Sequence, residues 1–203
     1  MAVTLNASTS SGFIQTADTS GIVQVQSNGT TVLTVASTGV TATNIQGTIV
    51  QGTAVASTSG TSIDFTGIPS WAKRINVMFA GVSTNGTSPP LIQIGDSGGI
   101  ENTGYNSTGS TAGDSNTTSL STSTAGFVIR STVATNTISA QMVISNLNGN
   151  IWISSHSGKV STTNSCFGGG DKTLSDTLTQ LRITTVNGTD TFDAGTINIQ
   201  YEG

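Results

Sequence analysis

Ile22-Val23-Gln24-Val25-Gln26-Ser27-Asn28-Gly29-Thr30-Thr31-Val32-Leu33-Thr34-Val35 is the stretch that decides the fold class. Apolar and polar residues alternate on both sides of Asn28-Gly29. Alternation is the period of a half-buried strand, and Asn-Gly suits a tight turn with positive φ at both central residues. The segment therefore predicts a β-hairpin. Phe13-Ile14-Gln15-Thr16-Ala17 adds a short strand before it. Such a unit is too small to be stable alone, because its apolar face needs a cover. A second domain or copies of the same unit would supply one. Residues 1–35 are thus expected to be an N-terminal β module for attachment and oligomerisation. Ile22, Val25, Val32, Leu33 and Val35 are the residues expected at the oligomer contact.

The rest of the composition agrees. Charged residues make up 8% of the 203 residues, against roughly 25% in ordinary globular chains. Serine and threonine fill about a third of the chain. Low charge with a polar bias is also a mark of disorder, but disordered chains lack β-branched residues and carry high net charge. Here Val, Ile and Thr abound and the net charge is −4. These residues suit a pleated, half-buried surface.

Several function classes are disfavoured. Lys73, Arg74, Arg130, Lys159, Lys172 and Arg182 are scattered and form no stripe along which a phosphate backbone could lie, so no nucleic acid is expected. No apolar run approaches the roughly 20 residues of a membrane-spanning helix, so no membrane insertion is expected. Met1-Ala2-Val3-Thr4-Leu5 lacks the basic and apolar regions of a secretion signal. Cys166 is the one cysteine, which excludes an intrachain disulfide framework. A protein made in a cytoplasm but composed for exposure fits an assembly released by lysis.

Residues 36–60 carry no charge and mix small residues with Ile45, Ile49, Val50 and Val55. Either a flexible linker or an extended stem packed on sister chains would look like this, and the β-branched residues favour the stem. Residues 61–203 read as the main domain. Strands are expected at 62–65, 74–80, 91–94, 126–133, 137–145, 150–155, 159–165, 179–186 and 195–201. Turns are expected at Asn85-Gly86, Asn148-Gly149, Ser157-Gly158, Gly168-Gly169-Gly170 and Asn187-Gly188. Many short strands without an amphipathic helix predict an antiparallel β-sandwich, jelly-roll-like. Pro69-Ser70-Trp71-Ala72 has room for one helical turn, and Leu174 to Leu181 reads as a loop entering a strand. Residues 96–125 read as one long Gly/Ser/Thr/Asn loop, the kind of segment that carries binding.

No constellation supports catalysis. Gly95-Asp96-Ser97-Gly98-Gly99 matches the nucleophile segment of chymotrypsin-like proteases. Those enzymes place the histidine base before the serine, whereas the single histidine here, His156, follows it. His156 and Cys166 are too few to hold zinc, unless three His156 met on a trimer axis. Asp190 and Asp193 are the nearest pair of carboxylates, but their setting, Asn187-Gly188-Thr189-Asp190-Thr191-Phe192-Asp193-Ala194-Gly195, reads as a capped turn. It lacks the ligand density of a calcium loop. Asn-X-Ser/Thr strings at Asn6, Asn28, Asn85, Asn106, Asn116 and Asn187 arise by chance in so hydroxyl-rich a chain. The expectation is a non-enzymatic protein without cofactor. Among the aromatics, Trp71 is expected to plug the sandwich end and Trp152 to face opposite to Ile151 and Ile153. Tyr105, in the long loop, is the best candidate for an exposed ligand contact.

Two stretches resemble known proteins. Gly21 to Val35, quoted above from Ile22, is similar to a short β unit in the stems of tailed-phage fibres. Ser62-Ile63-Asp64-Phe65-Thr66-Gly67-Ile68-Pro69-Ser70-Trp71-Ala72-Lys73-Arg74-Ile75, with Leu181-Arg182-Ile183-Thr184-Thr185-Val186-Asn187-Gly188-Thr189-Asp190-Thr191-Phe192-Asp193-Ala194-Gly195, resembles a domain recurrent at the C-terminal end of phage tail proteins. The resemblance implies a virion protein assembled in the bacterial cytoplasm, a homotrimer bound through its N-terminus to other tail or capsid proteins. The outward sandwich would contact a host surface glycan or protein. A capsid decoration protein with no receptor role is the alternative. No catalytic residues come with the resemblance.

Overall fold

The computed structural model describes residues 22–36, 39–42, 49–113 and 118–203. The predicted strand at 13–17 lies outside them, as do Asn6, Asn116 and Ile45. The chain divides into two compact units, Met1–Gln46 and Gly47–Gly203.

The first unit is a three-stranded antiparallel sheet of β1 (Val23–Ser27), β2 (Thr30–Ala36) and β3 (Gly39–Ala42). Asn28 and Gly29 have φ of 49° and 77°, the two positive values the hairpin turn requires. Val25 pairs with Leu33 but Gln26 pairs with Thr31, so Val32 is the extra residue of a bulge.

The second unit is an antiparallel β-sandwich. Its strands are β4 (Ile49–Gln51), β5 (Val55–Ala56), β6 (Ile63–Thr66), β7 (Arg74–Thr84), β8 (Pro90–Asp96), β9 (Gly99–Ile100), β10 (Tyr105–Gly113), β11 (Thr118–Ser123), β12 (Phe127–Val128), β13 (Ile138–Asn148), β14 (Ile151–Lys159), β15 (Asn164–Thr173), β16 (Gln180–Thr185) and β17 (Phe192–Glu202). The large sheet runs β11-β10-β15-β14-β13-β7-β17-β4, with β5 also on β17. The small sheet runs β12-β8-β16-β6, with β9 on β8. All pairings are antiparallel, and no helix occurs among the described residues. The strand order establishes a sandwich and no jelly roll in particular.

Alternation builds the core. Ile75, Val77, Met142, Ile144 and Trp152 from the large sheet are buried together with Ile92, Ile94, Phe127, Leu181 and Ile183 from the small one. Trp152 is buried while Ile151 and Ile153 are exposed, as their alternation requires. Trp71 packs partly buried against the core, its ring 5.7 Å from that of Tyr201. At Pro69–Ala72 the chain makes a single turn, closed by Ala72 N–H donating to Pro69 O.

Three expectations are corrected. First, residues 49–57 are not a stem apart from the main domain. Gln51 pairs with Gln200 and Val55 with Ile197, and Ser57 donates to the carbonyls of Gly195 and Ala194. Their β-branched residues complete an edge of this chain's own sheet. Second, most of the expected loop at 96–125 is β9, β10 and β11, because threonine supports strands as readily as loops. Third, the glycines at 158 and 168–170 are inside β14 and β15, not in turns, and the segment expected as strand at 160–163 makes the turn. A Cβ on Gly109 would lie 2.5 Å from Val128 O, so β12 crosses β10 at a position with no side chain.

Candidate functional site

The protease-like string is a hairpin turn. Asp96 pairs with Gly99 across β8 and β9, and Gly98 N–H donates to Asp96 Oδ1 at 2.7 Å. Asp96 Oδ2 accepts from Ser175 Oγ at 2.6 Å, which holds its carboxyl below the ordinary range. Ser97 has no histidine near it in sequence or pairing. Instead His156 is on the inward face of β14, opposite Met142 and Gly168.

His156 is 5% exposed and neither ring nitrogen has a hydrogen-bond partner. A Cβ on Gly168 would come within 2.6 Å of its Cε1, so the glycine makes room for the ring. Burial pushes its pKa down to about 4. A ring between the two sheets cannot meet its copies on a trimer axis. Cys166 is also inward, and burial raises its thiol to about 11. Among the described residues no three His, Cys, Asp or Glu side chains gather as for a metal.

Asp190 and Asp193 are engaged separately. Asp190 accepts from Asn187 Nδ2 at 2.6 Å and from Ser88 N–H at 2.9 Å, which lowers its pKa. Asn187 Oδ1 accepts from the N–H groups of Thr189 and Asp190, an Asx turn. Asp193 accepts from Ser83 Oγ. These bonds tie the 85–88 loop to the 187–191 turn.

Tyr105 is a further correction: it is not an exposed contact. It is 3% exposed, because it is the first inward residue of β10 rather than part of a loop. Its hydroxyl accepts from Ile94 N–H at 2.7 Å and lies within hydrogen-bond range of the carbonyls of Ile94 and Glu101. Its ring is edge-on to Phe127 and lies 5.4 Å from Lys172 Nζ. Lys172, 5% exposed, is paired with Glu101. Burial pushes Glu101 up, but the bonds from Lys172 and Ser175 outweigh it and hold the carboxyl below its ordinary value. The cluster joins β8, β10 and β15 and is committed to structure.

Two surfaces are not committed. One is the apolar side of the first unit. Val23 pairs with Val35 and Val25 with Leu33, so all four share a face. Val25 and Val35 are 49% and 40% exposed. Val32 and Leu33 are intermediate, and Ile22 is exposed. The other surface is the outward face of the large sheet, where Gln141 pairs with Met78 and Val143 with Asn76, and Asn76 pairs with Gln200. Arg74, Asn76, Gln141, Val143, Gln200, Tyr201 and Glu202 line a cavity of about 150 Å³ there. A second, of about 480 Å³, shares Arg74, Gln141 and Val143 and reaches Ser155 and Ser157. Arg74 is paired with Glu202 at 3.0 Å, so the groove is close to neutral. Asn76 Oδ1 is buried without a partner. The sequence signal for this groove is the polar residue alternating with core residues, as in Ile75-Asn76-Val77 and Ile197-Asn198-Ile199-Gln200.

No helix among the described residues is long and apolar enough to cross a membrane. Comparison with family models, with curated proteins and with solved structures finds no match.

Proposed function

We propose that the chain is a structural, non-catalytic subunit of a bacteriophage virion. It trimerises through the unit Met1–Gln46 as part of a tail or head fibre and presents the sandwich to the host surface. One observation carries this reading: the first unit has an apolar face and no core. No described residue of that unit is buried, while Val25 and Val35 stay exposed on a sheet of three short strands. Such a sheet needs a partner surface to be stable, and a copy of itself brings a matching apolar face. Its hairpin is also the segment that resembles phage fibre stems. The engaged state of Ser97, Asp190 and Asp193 supports a protein without catalysis.

The test is the mass of the full chain in solution, by light scattering coupled to size exclusion. The chain is expected to be a trimer, and Val25→Glu with Leu33→Glu is expected to be a monomer with an intact sandwich. A monomeric parent, or a double variant that stays trimeric, rejects the assignment. Antibody labelling of intact particles tests the virion role. Label on fibres supports it, whereas label on capsid faces with no adsorption of the protein to cells favours a decoration protein.

A further inference from the structure

At one end of the sandwich, Ser70, Lys73, Asn150, Trp152, Thr177 and Leu178 are among the residues that line a cavity of about 120 Å³. Trp152 and Leu178, each 3% exposed, form its floor, and Lys73 and Thr177 stand exposed at its rim. A water occupies roughly 30 Å³ of liquid, so the space takes about four waters, or a carboxylate and the carbon that bears it.

The polar groups here are rich in donors. Trp152 Nε1 is buried and has no acceptor in the chain, and an indole nitrogen can only donate. Orphaned buried donors are rare and call for an explanation. Lys73 adds a cation. Of the chain's six basic residues, Arg74, Lys172 and Arg182 are ion-paired and Arg130 binds Leu120 O and Ser121 Oγ. Only Lys73 and Lys159, among the described residues, have no partner for their side chains. No carboxylate lines the cavity. The nearest in sequence are occupied: Glu202 by Arg74, and Asp176 by Thr177 N–H at 2.7 Å.

We propose that this cavity binds the carboxylate of an acidic saccharide, with Lys73 and Trp152 Nε1 as donors to the carboxylate. One unpaired ammonium balances one negative charge, which favours a carboxylate over a phosphate dianion. The hydroxyls of Ser70 and Thr177 and the amide of Asn150 supply the hydrogen bonds that sugar hydroxyls need. The site belongs to the sandwich alone, so its test is independent of the trimer.

The experiment follows the indole N–H resonances of the full-length protein, which has two tryptophans, assigned with Trp71→Phe. Galacturonate, galactose and inorganic phosphate are titrated separately at constant ionic strength. Galacturonate is expected to shift the Trp152 signal saturably, and galactose is not. Lys73→Met is expected to weaken binding at least about tenfold, and Lys159→Met to leave it unchanged. The proposal is overturned by a silent Trp152 signal, by galactose binding as well as galacturonate, by phosphate binding more tightly, or by Lys73→Met binding like the parent.

Discussion

Lowering the pH should destabilise the sandwich through His156. In the unfolded chain an imidazole has a pKa near 6.5; in the fold, burial holds His156 at about 4. As pH falls through 6.5, the unfolded chain takes up a proton that the folded chain refuses. The stability that His156 contributes as a neutral ring is therefore whole above pH 6.5, declines between pH 6.5 and 4, and is gone below. At 1.36 kcal/mol for each pH unit, the loss totals about 3 kcal/mol. Domains of this size are stable by only about 5–15 kcal/mol, so the loss is large. Urea titrations at pH 7.5 and 4.5 measure it, with His156→Leu as the reference that lacks the group. Carboxylates that titrate in the same range affect both proteins, so the difference between them isolates His156. The parent should lose about 2.5 kcal/mol more than the variant between the two pH values. At pH 7.5 the variant should be at least as stable, since it also removes two buried nitrogens without partners. Equal losses in both proteins, or an imidazole titrating near 6.5 in the folded state, would refute the reasoning.

Glu101→Gln strands the buried Lys172 ammonium and should cost about 3 kcal/mol in urea unfolding. Tyr105→Phe removes the acceptor of Ile94 N–H and should cost about 1–3 kcal/mol, measured the same way. Cys166, 1% exposed with a raised pKa, should resist a thiol reagent at neutral pH in the folded protein and react fully in denaturant.

The antiparallel sandwich was legible in the sequence wherever alternation was strong. Residues 74–80, 137–145 and 195–201 fall within β7, β13 and β17, and Asn28-Gly29, Asn148-Gly149 and Asn187-Gly188 make the turns their composition predicts. Glycine misled elsewhere. A glycine in a strand records the close approach of another backbone, as at Gly109, and that approach is a tertiary fact absent from local composition. The same holds for Tyr105, whose Ser/Thr/Gly surroundings look like a loop but pair in register with Gly168, Gly169 and Gly170. The 49–57 edge was hidden because its partner, β17, lies far along the chain. Of the candidate surfaces, the apolar row of the hairpin was readable in advance. The outer groove and the end cavity join residues from separate strands and loops, so no local window contains them.

The place of β17 between β7 and β4 has a kinetic consequence. Gln51 meets Gln200, and Arg74 meets Glu202, only after more than a hundred intervening residues have been brought back. Closures of that span make folding slow. Until β17 docks, β7 has an open edge in the middle of what becomes the large sheet. Unpaired strand edges template aggregation, so the hazardous species for this chain is the partly assembled sheet. Conditions that slow the docking of β17, rather than those that loosen the finished sandwich, should govern how much protein is recovered on refolding.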